Sequence, residues 1–370
     1  MVYKIRFLGL VLLLVNAILG QRGLNQACIL PNGRSGRCIR IDECSKIAEL
    51  TTRNVLYAWE TQQIRAVLRA CESDESSSDP IVCILTKGMA KISDVLPARC
   101  GELPPLALVF SKVEDDENVH AWAVYLEIQR SKSTTKGRCV GTLIQERYVL
   151  TAAHCVHNLI VSFSLQCLFL RRIKLYFGLF LISTLGQCLA DRVCQERRAA
   201  ELIVHQDYNS HARLNDIALI RVSEAVQFTQ DVRPACLPFN YLFDESLASP
   251  RVLSLGWGEY QQGTMSDSKR IVQLEIIKED ECGDQLKKWQ RFNISMISSV
   301  MCTVGVLAGQ DVCEGDSGAP IVQIRNDRYF VIGVVSFGPK CGMGTGTAGM
   351  STRVSEYKNW ILTSMNRQLI

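Results

Sequence analysis

Sixteen cysteines in a chain of 370 residues constrain its fold more than any other feature of the sequence. At this density the thiols predict a framework of disulfides made in an oxidising compartment, unless their spacing suits zinc. No two of them form a Cys-x-x-Cys pair, so the spacing argues against zinc. We therefore expect a disulfide-stabilised protein with no metal site and no cofactor.

The first 20 residues predict the route to that compartment. Lys4 and Arg6 precede a short apolar run that ends near the small residue Gly20. This pattern is typical of a secretory signal peptide over residues 1–20 and indicates a secreted, extracellular protein. A second apolar stretch, Leu159–Leu185, is interrupted by three basic residues, so neither half reaches the ~20 residues that span a membrane. We expect no membrane span.

Charge and composition exclude two further classes of protein. The net charge is +4, and residues 1–20 contribute two of those charges, which leaves no concentrated basic face for nucleic acid. Hydrophobic residues make up 47% and charged residues 21%, so the chain can bury a core and is not disordered throughout.

Short apolar runs alternate with turn signals from Ala121 onward. Many short strands at such spacing predict an all-β barrel or sandwich. The runs are Ala121–Ile128, Gly141–Leu143, Arg147–Ala152, Ile217–Val222, Val252–Gly256, Ile271–Ile277, Pro320–Ile324 and Tyr329–Gly338. Near the C-terminus Tyr357, Trp360, Ile361 and Met365 share one face at a spacing of 3.6 residues, which predicts a helix.

Three short segments carry residues suited to catalysis. They place His154 after an apolar run, Asp216 before another, and Ser317 within a glycine-rich turn. Taken singly, each has an ordinary structural explanation: a packed histidine, a turn aspartate and a loop. Together they offer a weak hydroxyl nucleophile, the base that it needs and a group to orient that base.

These segments resemble the signature of the chymotrypsin/trypsin serine proteases in its chain order. The resemblance covers residues 109–370, and three more motifs follow in the family's order: Arg233-Pro-Ala-Cys236-Leu-Pro238, Gly256-Trp257-Gly258 and Ser336-Phe337-Gly338. It implies two packed six-stranded antiparallel barrels with a C-terminal helix and the site between the barrels. It also implies Ser317 as nucleophile, His154 as general base and then acid, and Asp216 as the group that orients the imidazole. The N–H groups of Gly315 and Ser317 would form the oxyanion hole.

The same resemblance predicts substrate specificity. Asp311 lies six residues before Ser317, where trypsin-like members hold a carboxylate at the pocket floor, although a surface acid remains the alternative. Ser336, Gly338 and Gly349 belong to the segments that line that pocket, and the two glycines leave room for a long side chain. A buried carboxylate favours a cation, so we expect cleavage of proteins after Arg or Lys.

Residues 28–83 resemble a CLIP domain, the small disulfide module of arthropod proteases, and residues 84–108 form a linker and activation region. The module normally ends in a Cys-Cys pair, but here Ile84 follows Cys83, and Cys44 and Cys167 are left over; they could pair with each other. The resemblance implies the disulfides Cys28–Cys83, Cys38–Cys71, Cys100–Cys236, Cys139–Cys155, Cys282–Cys302 and Cys313–Cys341, and Cys188 is close enough in sequence to pair locally with Cys194.

Activation departs from the family pattern. Relatives are zymogens in which cleavage frees an apolar N-terminus that pairs with the Asp before the nucleophile, here Asp316. Alignment on Trp122 places the new terminus at Val109, preceded by Leu108 rather than Arg or Lys, and without the usual Gly-Gly after it. We expect cleavage after Leu108 by a protease with chymotrypsin-like preference; the alternative is a chain that is never activated.

Three smaller features complete the sequence. Leu159–Ile173 has no counterpart in the family, and Val161–Arg171 is either a translated intron or a genuine loop. Residues 178–182 replace the acidic residues with which relatives bind calcium, so we expect none here. Asn293 begins an Asn-Ile-Ser glycosylation sequon.

The resemblance thus implies a secreted zymogen of a serine endopeptidase in an extracellular, innate-immune cascade. Its partners would be a protein substrate, itself a zymogen, an upstream activating protease and serpin inhibitors. The alternative is a non-catalytic regulatory cofactor built on the protease fold. A third role, pattern recognition through residues 28–83, is compatible with either.

Overall fold

The computed structural model describes thirteen stretches of the chain. They are residues 27–29, 35–40, 71, 81–85, 95–102, 120–129, 136–157, 173–239, 249–261, 263–288, 298–307, 311–338 and 348–366. The signal peptide, Cys44, Leu108, Val109, the segment 158–172 with Cys167, Asn293 and Cys341 lie outside them. The chain divides into two compact units, with the boundary after residue 91.

The N-terminal unit contains a small antiparallel sheet held by disulfides. Strands β1 (Ala27–Ile29), β2 (Ser35–Arg40) and β3 (Ile81–Leu85) pair in that order, so the sheet extends two residues into the expected linker. Cys38 is bonded to Cys71. Cys28 is buried and disulfide-bonded, and the side chain of its expected partner Cys83 is outside the described set. The three described cysteine side chains of this unit are thus all buried and disulfide-bonded.

Six strands close the first barrel of the second unit. They pair antiparallel in the order β4-β5-β6-β9-β8-β7. Their bounds are β4 Ala123–Gln129, β5 Lys136–Gln145, β6 Tyr148–Thr151, β7 Ile173–Phe177, β8 Gln195–Val204 and β9 Ala218–Val222. Buried branched and aliphatic residues such as Leu126, Leu150 and Ile220 fill the core. Short helices lie at Ala153–Val156 (α1) and Leu185–Ala190 (α2).

A second closed barrel of six antiparallel strands follows. Its order is β10-β13-β14-β17-β16-β15, with a two-stranded ribbon, β11-β12, beside it. The strands are β10 Arg251–Gly256, β11 Glu259–Gln261, β12 Thr264–Met265, β13 Arg270–Ile276, β14 Val300–Gly305, β15 Pro320–Arg325, β16 Arg328–Phe337 and β17 Gly349–Arg353. Helix α3 (Glu279–Lys288) precedes β14, and a 3₁₀ turn (Val354–Tyr357) leads into the C-terminal helix α4 (Lys358–Asn366).

Two closed six-stranded barrels, a C-terminal helix and an N-terminal disulfide module confirm the expected fold class. The sandwich that the spacing alone left open is wrong, because each sheet closes on itself. Among the twelve barrel strands, sequence periodicity did not indicate β7, β8, β14 and β17. Strand β8 begins with the polar residues Gln-Glu-Arg-Arg and is mostly only partly buried along its ten residues, so it lacks the alternation that marks a half-buried strand. Within the described residues, no helix is long and apolar enough to cross a membrane.

The two barrels meet along strands that flank the catalytic segments. The amide of Val140 on β5 donates to the carbonyl of Ser317 over 2.8 Å. The rings of Tyr125 and Trp257 pack edge to face at 5.5 Å. Disulfides Cys139–Cys155, Cys188–Cys194, Cys282–Cys302 and Cys100–Cys236 cross-link this unit, and Cys313 is also disulfide-bonded. His154 thus lies in helix α1 directly after β6, Asp216 two residues before β9, and Ser317 in the turn that leads into β15.

Candidate active site

Asp216 and His154 form a fixed pair at the end of the first barrel. Asp216 is fully buried, and one of its carboxylate oxygens, Oδ1, accepts a hydrogen bond from the backbone N–H of His154 at 2.8 Å. The other oxygen, Oδ2, lies 2.8 Å from Nδ1 of the same histidine. A carboxylate can only accept, so the proton of a neutral imidazole lies on Nδ1 and the lone pair on Nε2. The pair therefore presents a base whose free nitrogen is Nε2.

Further side chains complete the surroundings of Asp216. The hydroxyl of Ser336 donates to Oδ2, and the hydroxyl of Thr352 donates to the Asp216 carbonyl at 3.0 Å. The resemblance grouped Ser336 with the specificity pocket, whereas the structure places its side chain on the carboxylate. Burial of Asp216 is thus accompanied by several hydrogen bonds, as a buried carboxylate requires.

Arg213 is a neighbour that sequence reasoning did not indicate. Its guanidinium nitrogen NH1 lies 3.9 Å from Oδ2 of Asp216 and is buried without a hydrogen-bond partner. Its backbone is left-handed, with φ of 55°. The Tyr208 side chain also contacts the side chain of Arg213. Burial, together with the charge of Asp216, raises the pKa of the Tyr208 hydroxyl to about 12. A guanidinium cation therefore lies beside the carboxylate that accepts from His154.

The segment before Asp216 is anchored from the C-terminus. Asn215 also has a left-handed backbone, with φ of 54°, and its side-chain oxygen accepts from the hydroxyl of Tyr357 at 2.8 Å. Tyr357 belongs to the face that predicted the C-terminal helix, and it lies in the 3₁₀ turn just before α4. No pattern in the sequence links residues so far apart, so this anchor appears only in the folded chain.

Ser317 lies on a tight turn pressed against the first barrel. Its carbonyl oxygen accepts from Val140 and lies 3.6 Å from the sulfur of Cys155, which in turn lies 3.9 Å from Nε2 of His154. Gly318 has φ of +80°, and a Cβ there would lie 2.2 Å from the hydroxyl oxygen of Thr151. Glycine at 318 therefore lets the serine turn approach the strand that leads to His154.

The turn before Ser317 contains the expected oxyanion donors. Gly315 has φ of +95°, and a Cβ there would lie 2.9 Å from the Cα of Gly258. Among hydrogen bonds between described residues, neither the amide of Gly315 nor that of Ser317 is a donor. These are the two amides that the resemblance names as oxyanion donors, and both belong to one tight turn.

Asp316 is buried behind this turn. Its two carboxylate oxygens accept from the amide of Gly258 at 2.8 Å and from the amide of Cys313 at 3.1 Å. Burial raises the pKa of Asp316 to about 6, opposed by those two hydrogen bonds and by the charge of Arg270. Among the described residues, these two amides and Arg270 are the groups that offset the burial of this carboxylate.

Asp311 and two glycines lie together on the other side of the turn. A Cβ on Gly349 would lie 3.5 Å from Oδ1 of Asp311 and 3.4 Å from a methyl of Val312, and one on Gly338 would lie 3.5 Å from the Cα of Gly349. The amide of Val312 donates to Asp311 at 2.7 Å. Burial nevertheless raises the pKa of Asp311 to about 6. The surface-acid alternative does not fit a partly buried carboxylate beside two glycines.

The clusters of potential metal ligands are built from cystine sulfurs. Cys139, His154 and Cys155 come within reach of one another, as do Cys28, Cys38 and Cys71, but all five cysteines are disulfide-bonded. A sulfur in a disulfide is no thiolate ligand.

The segment 178–182, where relatives hold calcium-binding acids, packs against the second barrel instead. Leu179 is buried, and the carbonyl of Phe180 accepts hydrogen bonds from the indole of Trp257 and the amide of Lys269.

Comparison with known proteins extends over both units. The family model Trypsin matches residues 110–361, and the model for the regulatory CLIP domain of proteinases matches residues 28–83. The chain belongs to the trypsin family, among the arthropod CLIP-domain serine proteases.

Relatives match the CLIP-domain protease over nearly its whole length. CLIP domain-containing serine protease B4 of Anopheles gambiae is 29% identical over 368 residues, which covers 96% of this chain and 98% of the relative. Phenoloxidase-activating factor 1 of Holotrichia diomphalia is 29% identical, covering 90% and 92%. Melanization protease 1 of Drosophila melanogaster is 29% identical, again covering 90% and 92%.

Proposed function

We propose that the chain is the secreted zymogen of a serine endopeptidase that cleaves protein substrates after Arg or Lys in an extracellular, innate-immune cascade. The observation that carries the proposal is the Asp216 carboxylate, which accepts from both the backbone amide and Nδ1 of His154. This arrangement fixes the ring orientation and its tautomer, and both are needed to activate a serine hydroxyl.

In the proposed reaction, Nε2 of His154 takes the proton of Ser317 as the hydroxyl oxygen attacks the scissile carbonyl. Asp216 stabilises the imidazolium that forms, and the imidazolium then protonates the leaving amine. The amides of Gly315 and Ser317 bind the developing oxyanion, and losing one such donor lowers the rate roughly 100- to 1000-fold. Water then hydrolyses the acyl-enzyme: His154 takes a proton from the attacking water and returns it to the oxygen of Ser317.

Specificity in this proposal comes from Asp311. A carboxylate that is already desolvated gains most from a ligand cation, since the ion pair offsets the unfavourable burial of its charge. The small residues Gly338 and Gly349 beside it leave space for the stem of a long side chain. Arginine and lysine meet both conditions.

Activation would use Asp316. Cleavage after Leu108 would free Val109, and its amine would provide the cation that the buried Asp316 carboxylate lacks. A bulky apolar residue before the cut suits an activating protease with chymotrypsin-like preference. The Cys100–Cys236 disulfide would keep the N-terminal unit attached after the cut.

Partners are inferred from the relatives and from the chemistry. The names of the relatives from Holotrichia diomphalia and Drosophila melanogaster refer to phenoloxidase activation and to melanization, so we propose a place in a cascade of that kind. The substrate would be another zymogen, and serpins would inhibit the enzyme. The CLIP-like unit would bind partners or surfaces.

The deciding experiment treats the recombinant proprotein with limited chymotrypsin and follows hydrolysis of a small Arg-containing peptide, with N-terminal sequencing of the products. Activity that appears together with a Val109 terminus supports the proposal, and a Ser317→Ala control should be cut equally and stay inactive. If trypsin-like activators alone generated full activity, the Leu108 site would be wrong.

The alternative function is a non-catalytic regulatory cofactor built on the same fold. The residue Leu108 and the absence of Gly-Gly after Val109 favour it, since both depart from the usual activation sequence. A clean cut between Leu108 and Val109 that gives a folded but inactive protein would establish this alternative over the enzyme.

A further inference from the structure

A disulfide-closed loop of the first barrel reaches across to the second. We call residues 178–194, between β7 and β8, the clamp loop. It leaves β7 at Gly178, where φ is +74° and a Cβ would lie 2.9 Å from the carbonyl of Val193. The disulfide Cys188–Cys194 joins helix α2 to the last residue before β8. The loop is therefore held at both of its ends.

The clamp loop contacts residues 257–269, here called the bridging segment. Asp267 accepts from both the backbone amide of Ser183, at 2.8 Å, and its hydroxyl, at 2.6 Å. The carbonyl of Asp267 accepts from the amide of Ile182 at 2.9 Å. The carbonyl of Phe180 accepts from the indole N–H of Trp257 and the amide of Lys269, both at 2.9 Å. The Asp267 carboxylate thus makes the charged side-chain contact between the two segments, and its hydrogen bonds to Ser183 are charge-assisted.

The other face of the bridging segment meets the turn before Ser317. Gly258 donates to the Asp316 carboxylate at 2.8 Å, and Glu259 donates to the carbonyl of Glu314 at 2.8 Å. Ser266 donates to the carbonyl of Gly258 at 3.0 Å, which ties the two ends of the segment together. A Cβ on Gly315 would lie 2.6 Å from the terminal methyl of Met265. The segment therefore supports the same turn that carries the oxyanion donors.

We propose that Asp267 is a positioning residue for the oxyanion hole, acting through Ser183 and the bridging segment. This inference rests on the proposed function. The contacts form one path from the clamp loop through Asp267, Ser266 and Gly258 to Asp316 and Gly315. If the Asp267–Ser183 bonds are lost, the bridging segment is held less firmly. The hydrogen bond from Gly258 to Asp316 is then broken for a larger fraction of the time. The transition state then suffers more than ground-state binding, because only the former uses both oxyanion donors.

The test compares Asp267→Ala with Asp191→Ala in the cleaved enzyme. Asp191 lies on the clamp loop and is matched because, like Asp267, it is exposed and accepts a side-chain hydrogen bond, here from Gln187 at 2.8 Å, but that bond stays within the loop. For Asp267→Ala we expect kcat on an Arg peptide to fall about five- to tenfold, less than the loss of a buried hydrogen bond to a charged group would cause, because Asp267 is exposed and acts on the oxyanion donors indirectly. Affinity for a peptide arginine aldehyde, which forms an oxyanion on Ser317, should fall by a similar factor, whereas benzamidine affinity should stay within about twofold. Asp267→Asn, which keeps an acceptor for the Ser183 amide, should restore part of the loss.

Two outcomes would overturn the inference. One is an equal change in Asp267→Ala and Asp191→Ala; the other is an equal loss of aldehyde and benzamidine affinity, which would indicate general destabilisation. Hydrogen exchange of peptides spanning residues 255–261 and 312–318 gives a readout that needs no activity. It should be faster in Asp267→Ala than in Asp191→Ala, and equal exchange would also overturn the inference. An inactive parent enzyme would contradict the proposed function, while the exchange comparison would still decide the role of Asp267.

Discussion

At the scale of single residues, the site depends on three carboxylates in different surroundings. Asp216 is surrounded by donors from His154 and Ser336. Asp311 and Asp316 have mainly backbone amides, and burial raises the pKa of each to about 6. The fold therefore gives Asp216 side-chain as well as backbone donors, whereas in the proposal Asp311 and Asp316 bind cations from the substrate and from the new N-terminus.

The raised pKa of Asp311 predicts how cation binding depends on pH. A benzamidinium probe binds the ionised carboxylate, so protons compete with it as the pH falls through about 6. In the cleaved Ser317→Ala protein we expect constant affinity above pH 7 and a roughly tenfold loss per unit well below pH 6, since ligand and proton share one site. Fluorescence titration with p-aminobenzamidine measures this. An affinity as high at pH 5 as at pH 8 would contradict the role of Asp311, and Asp311→Asn should bind weakly at every pH.

The position of Arg213 beside Asp216 predicts that removing its charge speeds the reaction. Its guanidinium competes with the His154 imidazolium for the Asp216 carboxylate, which disfavours the charge that forms in the transition state. Arg213→Gln in the cleaved enzyme should raise kcat about two- to tenfold with KM little changed, since a partly exposed charge acts through a high effective dielectric. Steady-state kinetics on an Arg peptide measure both constants. The matched control is Arg221→Gln, which removes an ion pair with Glu201 at 3.2 Å on the first barrel. A kcat that falls or stays the same would show that Arg213 does not oppose catalysis.

At the scale of elements, the serine turn depends on how closely it approaches the first barrel. Gly318 allows that approach for two reasons: its backbone has a positive φ, and it has no Cβ that would meet the strand. The bond from Val140 to Ser317 then ties β5 to the turn. Any side chain at position 318 would push the nucleophile away from the strand that leads to His154.

Gly318→Ala should therefore reduce both stability and serine reactivity. The left-handed backbone alone costs about 1–2 kcal/mol with a Cβ present, and the contacts at 2.2 and 2.3 Å with Thr151 and Val140 add to it. We expect a lower midpoint of thermal unfolding and a loss of at least about 100-fold in reaction with a sulfonyl fluoride, because misplacement by about 1 Å can have that effect. Gly263→Ala is the control, since Gly263 has φ of +78° and open space around it. Equal effects of the two substitutions would show that backbone strain, and not the clash, is responsible.

At the scale of the whole molecule, one disulfide joins sequence on either side of the activation region. Cys100 precedes residue 108, and its partner Cys236 lies in the protease unit. Gly101 strengthens this attachment, because its amide donates to Pro234 and its carbonyl accepts from Tyr329. The residues just before the activation region thus belong structurally to the protease.

This arrangement predicts that activation cuts the chain without releasing its N-terminal unit. After cleavage, non-reducing electrophoresis should show one species near the full mass, and reduction should separate two. In Cys100→Ser/Cys236→Ser the two fragments should separate on electrophoresis without reduction, because the Cys100–Cys236 link is gone. Fragments of this variant that stay together until they are reduced would indicate a second link across the cut, between Cys44 and Cys167. Two separate species from the parent protein under non-reducing conditions would mean that this disulfide does not bridge the cut.

Much of the fold was predictable because motifs in this chain are local. His154, Asp216 and Ser317 each lie in a short segment whose residues identify it, and the alternating apolar runs predicted eight of the twelve barrel strands. Strand β8 was missed because its first four residues are polar and most of the strand is only partly buried, and β17 because it is short and lacks branched apolar residues. Strands of this kind take their identity from their neighbours in the barrel, which periodicity cannot show.

The sequence by itself determined the chemistry: which residues are nucleophile, base and pocket acid in the proposal, and which cysteines are expected to pair. Tertiary structure alone decided the surroundings that tune them. Arg213 beside Asp216, Tyr357 on Asn215, and Asp267 clamped by Ser183 join residues from distant parts of the chain. The physical reason is that hydrogen bonds and charge interactions act over a few ångströms of space, and only closure of the two barrels brings these groups within that range.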